Sequence, residues 1–334
     1  MKHRLLVAGI LAGIFAAPAS VASAQTCSGG TAVQDACQKG VDFVTFIAPQ
    51  LSTALAAGNA TLGQGGALGG LGHFALSIRA SAVNGSLPKI GNQSFSTTGA
   101  QSTTYTSNNQ FMPGVSADAA IGIWRGLSVG VTHVGGIDGL LTATYLPNVG
   151  SSGNGDAQLK ADGSNTKFGF GVRIGLLEES LVTPGVSFTY LQRDLPTVTM
   201  TATNSSGSGL NSASGTIALN NLSIKSGAWR ITAAKDLLIF GLSAGVGQDK
   251  YTTTSTLNVT VNALGGTQSG TGSAGISMTR TNAFVGASVN LFLFKLEGEL
   301  GTVSGGSLPT LTNNFGAPAD ASRTYFTLGL RFGR

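Results

Sequence analysis

The sequence predicts an all-β fold, a transmembrane antiparallel up-and-down β-barrel of about ten strands preceded by a short N-terminal helical segment. Charged residues make up only 10% of the chain, against roughly 25% in a soluble domain. After the N-terminus no apolar run approaches the roughly 20 residues of a membrane helix. Segments of alternating polarity are joined in turn by long polar stretches and short turns. Since lipid cannot satisfy open backbone groups, such a chain can cross a membrane only with closed strands.

Residues 1–24 have the organisation of a secretory signal peptide. Lys2 and Arg4 form the charged start, 5–17 the apolar middle, and 22–24 the small-residue cleavage site. The apolar part is too short for a membrane anchor and is interrupted by Pro18. We therefore expect export, with cleavage near Ala24.

Residues 25–71 are predicted to form a separate N-terminal piece. Two cysteines in an exported chain, Cys27 and Cys37, suggest one disulfide that staples a cap over 27–40. Apolar residues from Val41 to Leu55 then recur at helical spacing, with Pro49 expected to kink or interrupt the helix and Gly58 to end it. The favoured interpretation is a periplasmic helix under the barrel. The alternative is a plug that enters the lumen.

Residues 72–334 are predicted to form the barrel. The expected strands lie at 73–83, 114–124, 127–131, 167–176, 186–190, 217–233, 238–261, 283–291, 294–300 and 323–334. Their alternating apolar residues, such as Ile78 and Leu242, are expected to face lipid, and the residues between them the lumen. Long polar loops are expected at 84–112, 135–165, 196–215, 265–274 and 305–320, and short turns at 125–126, 178–180, 235–236 and 292–293. A change of parity predicts a bulge near Gly227. A strand pair hidden in 88–112 or 137–165 would raise the count to twelve.

The last strand gives the clearest alternation. Phe326, Leu328, Leu330 and Phe332 share one face, and the residues between them, including Thr327, Gly329 and Arg331, share the other. At the end of an exported, glycine-rich chain this segment resembles the closing strand of a bacterial outer-membrane β-barrel. The resemblance implies a Gram-negative outer membrane, lipid around the barrel, insertion by the barrel-assembly machinery, periplasmic turns and external loops. The N-terminal helical segment also resembles the hatch of FadL-type transporters of hydrophobic substrates.

Sorting each strand by parity places a set of charged side chains inside the barrel. Six are expected near the turn ends of their strands and two, Arg79 and Asp118, nearer mid-height. The six are Arg173, Arg230, Lys295, Glu297, Glu299 and Arg331. The favoured interpretation is an ion-pair network that fills a narrow barrel, since buried charges must be paired. The alternative is a constriction that selects permeants by charge.

Many predicted inward positions are glycine or serine. They include Gly169, Gly171, Gly175, Gly241, Ser243, Gly245, Gly247, Gly286 and Ser288. Either these positions leave room for the 41–57 segment, water or a ligand, or glycine relieves crowding and lets strands bend.

The functional prediction is a passive channel or small-molecule transporter with a restricted lumen. Its permeant would be a small molecule or hydrophobic ligand. The alternative is a closed structural barrel whose loops bind partners. His73 and His133 are expected at opposite heights and belong to no spaced metal motif, so no enzyme, metal site or cofactor is predicted. A weaker hypothesis groups His133 with Asp138, Asp156 and Asp162 at the outer rim, as in outer-membrane proteases. Without Lys/Arg runs, nucleic acid is an unexpected partner.

Overall fold

The computed structural model describes residues 27–89, 94–146, 158–204, 212–263 and 265–333. The predicted signal peptide lies outside these residues. They form one helix, α1 (Thr31–Ala56), and a set of strands. The strands are β1 (Phe74–Pro88), β2 (Phe95–Ser96), β3 (Ser107–Trp124), β4 (Leu127–Val129), β5 (Thr132–Val134), β6 (Gly136–Tyr145), β7 (Gln158–Ala161), β8 (Thr166–Leu177), β9 (Gly185–Asp194), β10 (Val198–Asn204), β11 (Ser212–Leu237), β12 (Phe240–Ala263), β13 (Gly266–Leu291), β14 (Phe294–Ser304) and β15 (Arg323–Gly333).

Ten of the described strands close an antiparallel barrel. The order around the ring is β11, β12, β13, β14, β15, β1, β3, β6, β8, β9 and back to β11. We call the end with the connections 178–184, 238–239 and 292–293 the turn end, and the opposite end the loop end. Beyond the ring, β10 pairs with the first half of β11, and β7 pairs with β10. The expected barrel of about ten strands is confirmed.

In the turn-end half, the outer face of the barrel is apolar. Ile78, Leu242 and Leu328 are exposed, whereas Arg79 and Thr327, beside Ile78 and Leu328 in the chain, are buried. The predicted parity of these strands is therefore confirmed. The exterior of this half is suited to lipid, as in transmembrane barrels. No helix among the described residues is long and apolar enough to cross a membrane.

The long strand β12 reverses its polarity halfway along. From Phe240 to Val246 its outward residues are apolar, and from Thr252 to Thr260 they are Thr and Asn. Its inward residues change in the opposite sense, from Gly and Ser to Leu257, Val259 and Val261, which are buried. The loop-end half of this strand therefore has a dry interior and a wet exterior, like a soluble protein.

Several predicted boundaries are wrong. The third ring strand is β6, within a predicted loop, and Leu127–Val129 instead pairs with Thr132–Val134 in a small hairpin at the turn end. Within the predicted loops 196–215 and 265–274, the described residues largely form β10, the start of β11 and the start of β13. The prediction missed these strands because they lack the outward apolar residues that marked the others. Residues 235–236 lie within β11, and the turn is at 238–239.

The bulge in β11 is also displaced. The register with β12 shifts between Asn220 and Ser223, and Asn221 has a φ of 54°. Inward residues are odd-numbered before this point and even-numbered after it. Ile224 therefore faces inward, and the prediction of a bulge near Gly227 is wrong.

Helix α1 lies inside the barrel. It contacts β1, β3, β11, β12, β13 and β15, strands from different sides of the ring, and nearly all of its residues are buried. The favoured position under the barrel is therefore wrong, and the alternative position within the lumen agrees with the structure. The helix begins at Thr31, inside the expected cap, and continues through Pro49 without interruption.

Candidate functional site: the occupied lumen

Residues 27–72, which we call the plug, run through the lumen from the loop end to the turn end. Ser28 donates its backbone N–H to Thr271 O near the tip of the β12–β13 hairpin (2.9 Å). At the other end, Leu68 donates its N–H to both carboxylate oxygens of Asp138 (3.1 Å each). The plug then leaves the lumen, and β1 starts back towards the loop end.

Three arginines from the wall bind the C-terminal end of α1. Arg79 donates to Ala57 O (2.9 Å) and Gly58 O (2.5 Å), and Arg193 donates to Leu55 O (3.3 Å). Arg230 donates to the carbonyls of residues 56 and 58 (2.9 and 2.6 Å). These carbonyls have no partner within the helix and carry the negative end of its dipole, so cations are favoured here. The arginines therefore satisfy and hold the helix end at mid-height.

Acidic residues of the wall pair with two of these arginines. Asp118 accepts from Arg79 Nε at 2.8 Å, and Asp249 lies 3.8 Å from Arg230. Glu299 instead accepts the backbone N–H of Asn59 (3.1 Å). The charges are thus shared between wall and plug, which leaves few of them without compensation.

A second level of polar contacts lies nearer the turn end. Lys295 donates to Gly63 O (3.0 Å) and pairs with Asp236 (2.6 Å). Arg331 donates to Leu62 O at 2.9 Å. The fully buried Arg173 pairs with Asp138 at 2.7 Å, and Asp138 in turn binds the plug.

The structure brings all eight sequence-predicted charged residues to the inner wall, in two levels that differ from the expected ones. Arg230 and Arg79 share the Gly58 carbonyl, so Arg230 lies at mid-height with Arg79 rather than near the turn end. Among these eight residues, Arg79 and Asp118 form an ion pair with each other. Glu297 accepts a hydrogen bond from the Ser243 hydroxyl (2.9 Å).

Sequence reasoning missed several members of the network. Asp138 was assigned to a loop. Arg193, Asp236 and Asp249 follow the inward parity of β9, β11 and β12, which would have identified them had the alternation been extended to the full strands. Asn59, on the plug, gave no sequence signal.

The inward glycines accommodate both the plug and neighbouring side chains. A Cβ at Gly175 would meet Ala67 of the plug, and a Cβ at Gly329 would meet Leu62. At Gly245 it would instead meet the ring of Phe284 from the next strand. Both interpretations of the glycine pattern therefore hold, although residues 62–67, rather than 41–57, fill these positions.

At the loop end, two long loops fold over α1. Asp35 accepts the backbone N–H groups of Ser96 (2.7 Å) and Gln101 (2.8 Å) and pairs with Lys39. Asp42 accepts two hydrogen bonds from Asn313, at 2.8 and 2.7 Å. Burial raises the pKa of the Asp42 carboxyl, and the hydrogen bonds from Asn313 partly oppose this rise.

A disulfide joins Cys27 to Cys37 and closes the first turns of α1 onto the segment before it. A Cβ at Gly272 on β13 would meet both sulfur atoms. The disulfide therefore packs directly against the wall at the loop end.

A small apolar recess lies beside α1 between these loops and the wall. One cationic side chain, Lys39, lies at its edge, over the ring of Phe95 (5.7 Å). The recess is lined by Lys39, Gly40, Phe43, Phe95, Tyr105, Met200, Ala202, Thr203, Ile217, Leu219 and Phe315. Its lining is apolar, but its volume of about 30 Å³ leaves room for little more than a water-sized molecule while α1 and the loops stay in place.

Buried polar atoms without a protein partner lie around the inner wall, for example the Tyr251 hydroxyl on β12 and Asn282 Oδ1 on β13. On β6 and β9 they include the hydroxyls of Thr142, Thr144 and Thr189 and Nε of Arg193. Buried polar groups of this kind are normally satisfied by water. The inner wall, including its β6 and β9 side, is therefore suited to hold water beside the plug.

The residues of the protease hypothesis do not come together. His133 pairs with Glu178 at 3.0 Å on the turn-end side, while Asp138 is fully buried against Arg173. Asp162 binds Thr197 O through its backbone N–H at the loop end, and Asp156 lies outside the described residues. His73 and His133 lie at the same end, so their predicted separation is wrong. Among the described residues, no group of His, Cys, Asp or Glu could hold a metal.

Solved structures of outer-membrane transporters are similar to this chain. The Pseudomonas putida toluene transporter TodX is 14% identical, covers 84% of this chain and 95% of its own, and has a TM-score of 0.34. A Pseudomonas aeruginosa FadL homologue is 8% identical, with 94% and 99% covered and a TM-score of 0.27. The Ralstonia pickettii toluene transporter TbuX is 11% identical, with 86% and 94% covered and a TM-score of 0.23.

The expected resemblance to FadL-type transporters thus reappears among solved structures. No protein-family model and no curated protein sequence matches the chain. At these identities and TM-scores, the similarities do not establish a family or a substrate.

Proposed function

We propose that this protein is an outer-membrane channel for small molecules whose passage is restricted by the plug. One observation carries the proposal: residues 27–72 fill the lumen without forming part of its wall. From the C-terminal end of α1 to the turn end, the plug is held to the wall mainly by hydrogen bonds from side chains to its backbone, such as those from Arg79 and Arg230. Water can replace bonds of this kind, so this part of the plug can shift while the strand ladder and the apolar packing of α1 at the loop end stay intact.

The proposed permeant is small and mainly apolar. The recess at the loop end offers aromatic and aliphatic walls, including Phe43, Ile217 and Phe315, and one cation, Lys39. With the plug in place the recess has a volume of only about 30 Å³, so a molecule would enter it as the plug shifts. It would then lie against α1, at the entrance of the path that the plug fills. The charged levels below it would act as the constriction, and the water-suited inner wall would form the path along the plug.

Single-channel conductance in planar bilayers tests the channel. We expect small conductance steps from the mature protein and larger steps after deletion of residues 27–71. An Arg79→Gln/Arg230→Gln variant should give intermediate or flickering steps, because the helix end is released while the plug remains. No conductance in any form would support the closed structural barrel instead.

Uptake of a monoaromatic hydrocarbon into proteoliposomes tests the permeant. Phe43→Asp, in the recess, should reduce uptake, whereas Phe111→Asp, on an exposed outward position of β3, should not. Equal uptake by the two variants would show that the recess takes no part in transport.

A further inference from the structure

The outer wall has a groove where its apolar band ends. On β9 the outward residues change from Tyr190 to Gln192, on β11 from Trp229 to Lys225, and on β12 from Val246 to Gln248 and Lys250. Except for Val246, these residues line a groove of about 1080 Å³ on the outer wall, together with Phe168, Phe170 and Asp194.

The groove lies where the wall changes direction. The register of β11 shifts between Asn220 and Ser223, and β9 ends at Asp194 before β10 begins at Val198. Leu195 still donates its N–H to Ile224 O (3.0 Å), so both irregularities lie at one height. Bulges bend the strands that contain them, which explains a concave outer face at this point.

The groove carries a net positive charge. Lys225 and Lys250 are exposed, and neither forms an ion pair with a described residue. Asp194 is the single acid of the groove, opposite Lys225 in the register. On the far side of the ring, the outward residues just above the apolar band are uncharged: Asn84, Asn109, Thr302 and Thr324.

We propose that this groove binds a phosphorylated glycolipid of the outer leaflet. Lys225 and Lys250 would contact its phosphate groups, and Tyr190, Trp229 and Phe170 would contact its acyl chains. The groove is continuous with the lipid-facing band, opens at the level of the head groups if the loops are external, and places cations directly above aromatic residues. Aromatic rings favour this interface, and each basic residue near an anionic lipid surface strengthens binding by about fivefold.

Titration of the full mature protein in detergent micelles with lipid A, followed by native mass spectrometry, tests this site. We expect saturable binding of lipid A to the wild type and roughly 25-fold weaker binding to Lys225→Gln/Lys250→Gln. The matched control is Lys89→Gln/Lys160→Gln, which removes the same charge from exposed residues outside the groove and should bind as the wild type does.

A dephosphorylated lipid A separates charge recognition from general adhesion of lipid. It should bind weakly and equally to all three proteins. Equal affinity of lipid A for the wild type and Lys225→Gln/Lys250→Gln, or an equal loss in the control pair, would overturn the proposal. Because the groove is outside the lumen, Lys225→Gln/Lys250→Gln should leave the conductance at its wild-type value. Lipid A affinity and conductance therefore test the groove and the proposed channel separately.

Discussion

The two halves of the barrel are built on opposite principles. In the turn-end half, apolar side chains face outward and the interior is held by charges, as in Arg173–Asp138 and Lys295–Asp236. In the loop-end half of β12, Thr and Asn face outward, while Leu257 and Val259 pack around α1. The strands are continuous across this change, so the solvent outside, and not the backbone, decides which face is apolar. A wall that contacts lipid needs an apolar exterior, whereas a wall that contacts water can have a polar exterior and an apolar interior.

The largest effect is expected from a broken ion pair in the turn-end half. Asp138→Ala should lower the free energy of unfolding by about 3–5 kcal/mol, because Arg173 remains fully buried without its partner. Urea unfolding in lipid vesicles measures this loss. An Arg173→Met/Asp138→Leu variant should recover most of it; failure to recover would show that the Asp138 contact with the plug, and not the ion pair, is the stabilising one.

The outer faces of the two halves should respond differently to charge. Leu242→Arg, in the apolar band, should cost about 2–4 kcal/mol if this position lies near mid-bilayer. Thr256→Arg, outward on the same strand in the loop-end half, should cost almost nothing. Unfolding in vesicles compares the two, and equal losses would contradict the change of polarity along β12.

The disulfide should stabilise the plug and not the wall. Cys27→Ser/Cys37→Ser should reduce the stability of the docked N-terminal end of α1 by about 2–3 kcal/mol, the loop entropy for a cysteine separation of 10 residues. Limited proteolysis should cut the plug faster, while heat-modifiable migration of the barrel on gels stays the same. Loss of the folded barrel would show that the plug is integral to it.

The smallest effect is expected from pH at the loop end. Because burial raises the pKa of Asp42 in the folded protein, the folded state binds a proton more readily than the unfolded state does. Docking of α1 should therefore strengthen as pH falls through the folded pKa and weaken as pH rises through it. Hydrogen exchange at the amide of Asn313 reports this docking, and Asp42→Asn should remove the dependence. A wild-type protein that loosens on acidification would contradict the direction of the shift.

The sequence predicted the turn-end half of the barrel well and the loop-end half poorly. Ile78, Leu242 and Leu328 were assigned outward because a lipid-facing strand has a strict period of two in its apolar residues. In the described parts of 196–215 and 265–274 the outward residues are mainly Thr, Ser and Gly, and the same composition is typical of loops. Local residue type could not separate the two, because only pairing with a neighbouring strand shows that such a segment is extended.

The candidate site shows the same division. Arg79, Arg230 and Lys295 could be placed inside from parity alone, but their partners could not. Those partners are mostly backbone carbonyls of the plug, and a carbonyl has no sequence signal. The position of α1 could not be predicted either. Its helical periodicity indicates a helix, but only the surrounding wall shows that the helix is buried on all sides.

The sequence by itself predicted export, and it determined a helical N-terminal segment, a closed antiparallel barrel of about ten strands, and the apolar face of most of the strands within the lipid-facing half. These properties follow from local alternation and from the need of lipid for satisfied backbone groups. The tertiary structure alone decided that residues 27–72 pass through the lumen, that Arg79 and Arg230 meet at Gly58, and that the wall bends at Asn221. Each of these depends on contacts between segments far apart in the chain, whose free energy is set by the assembled barrel.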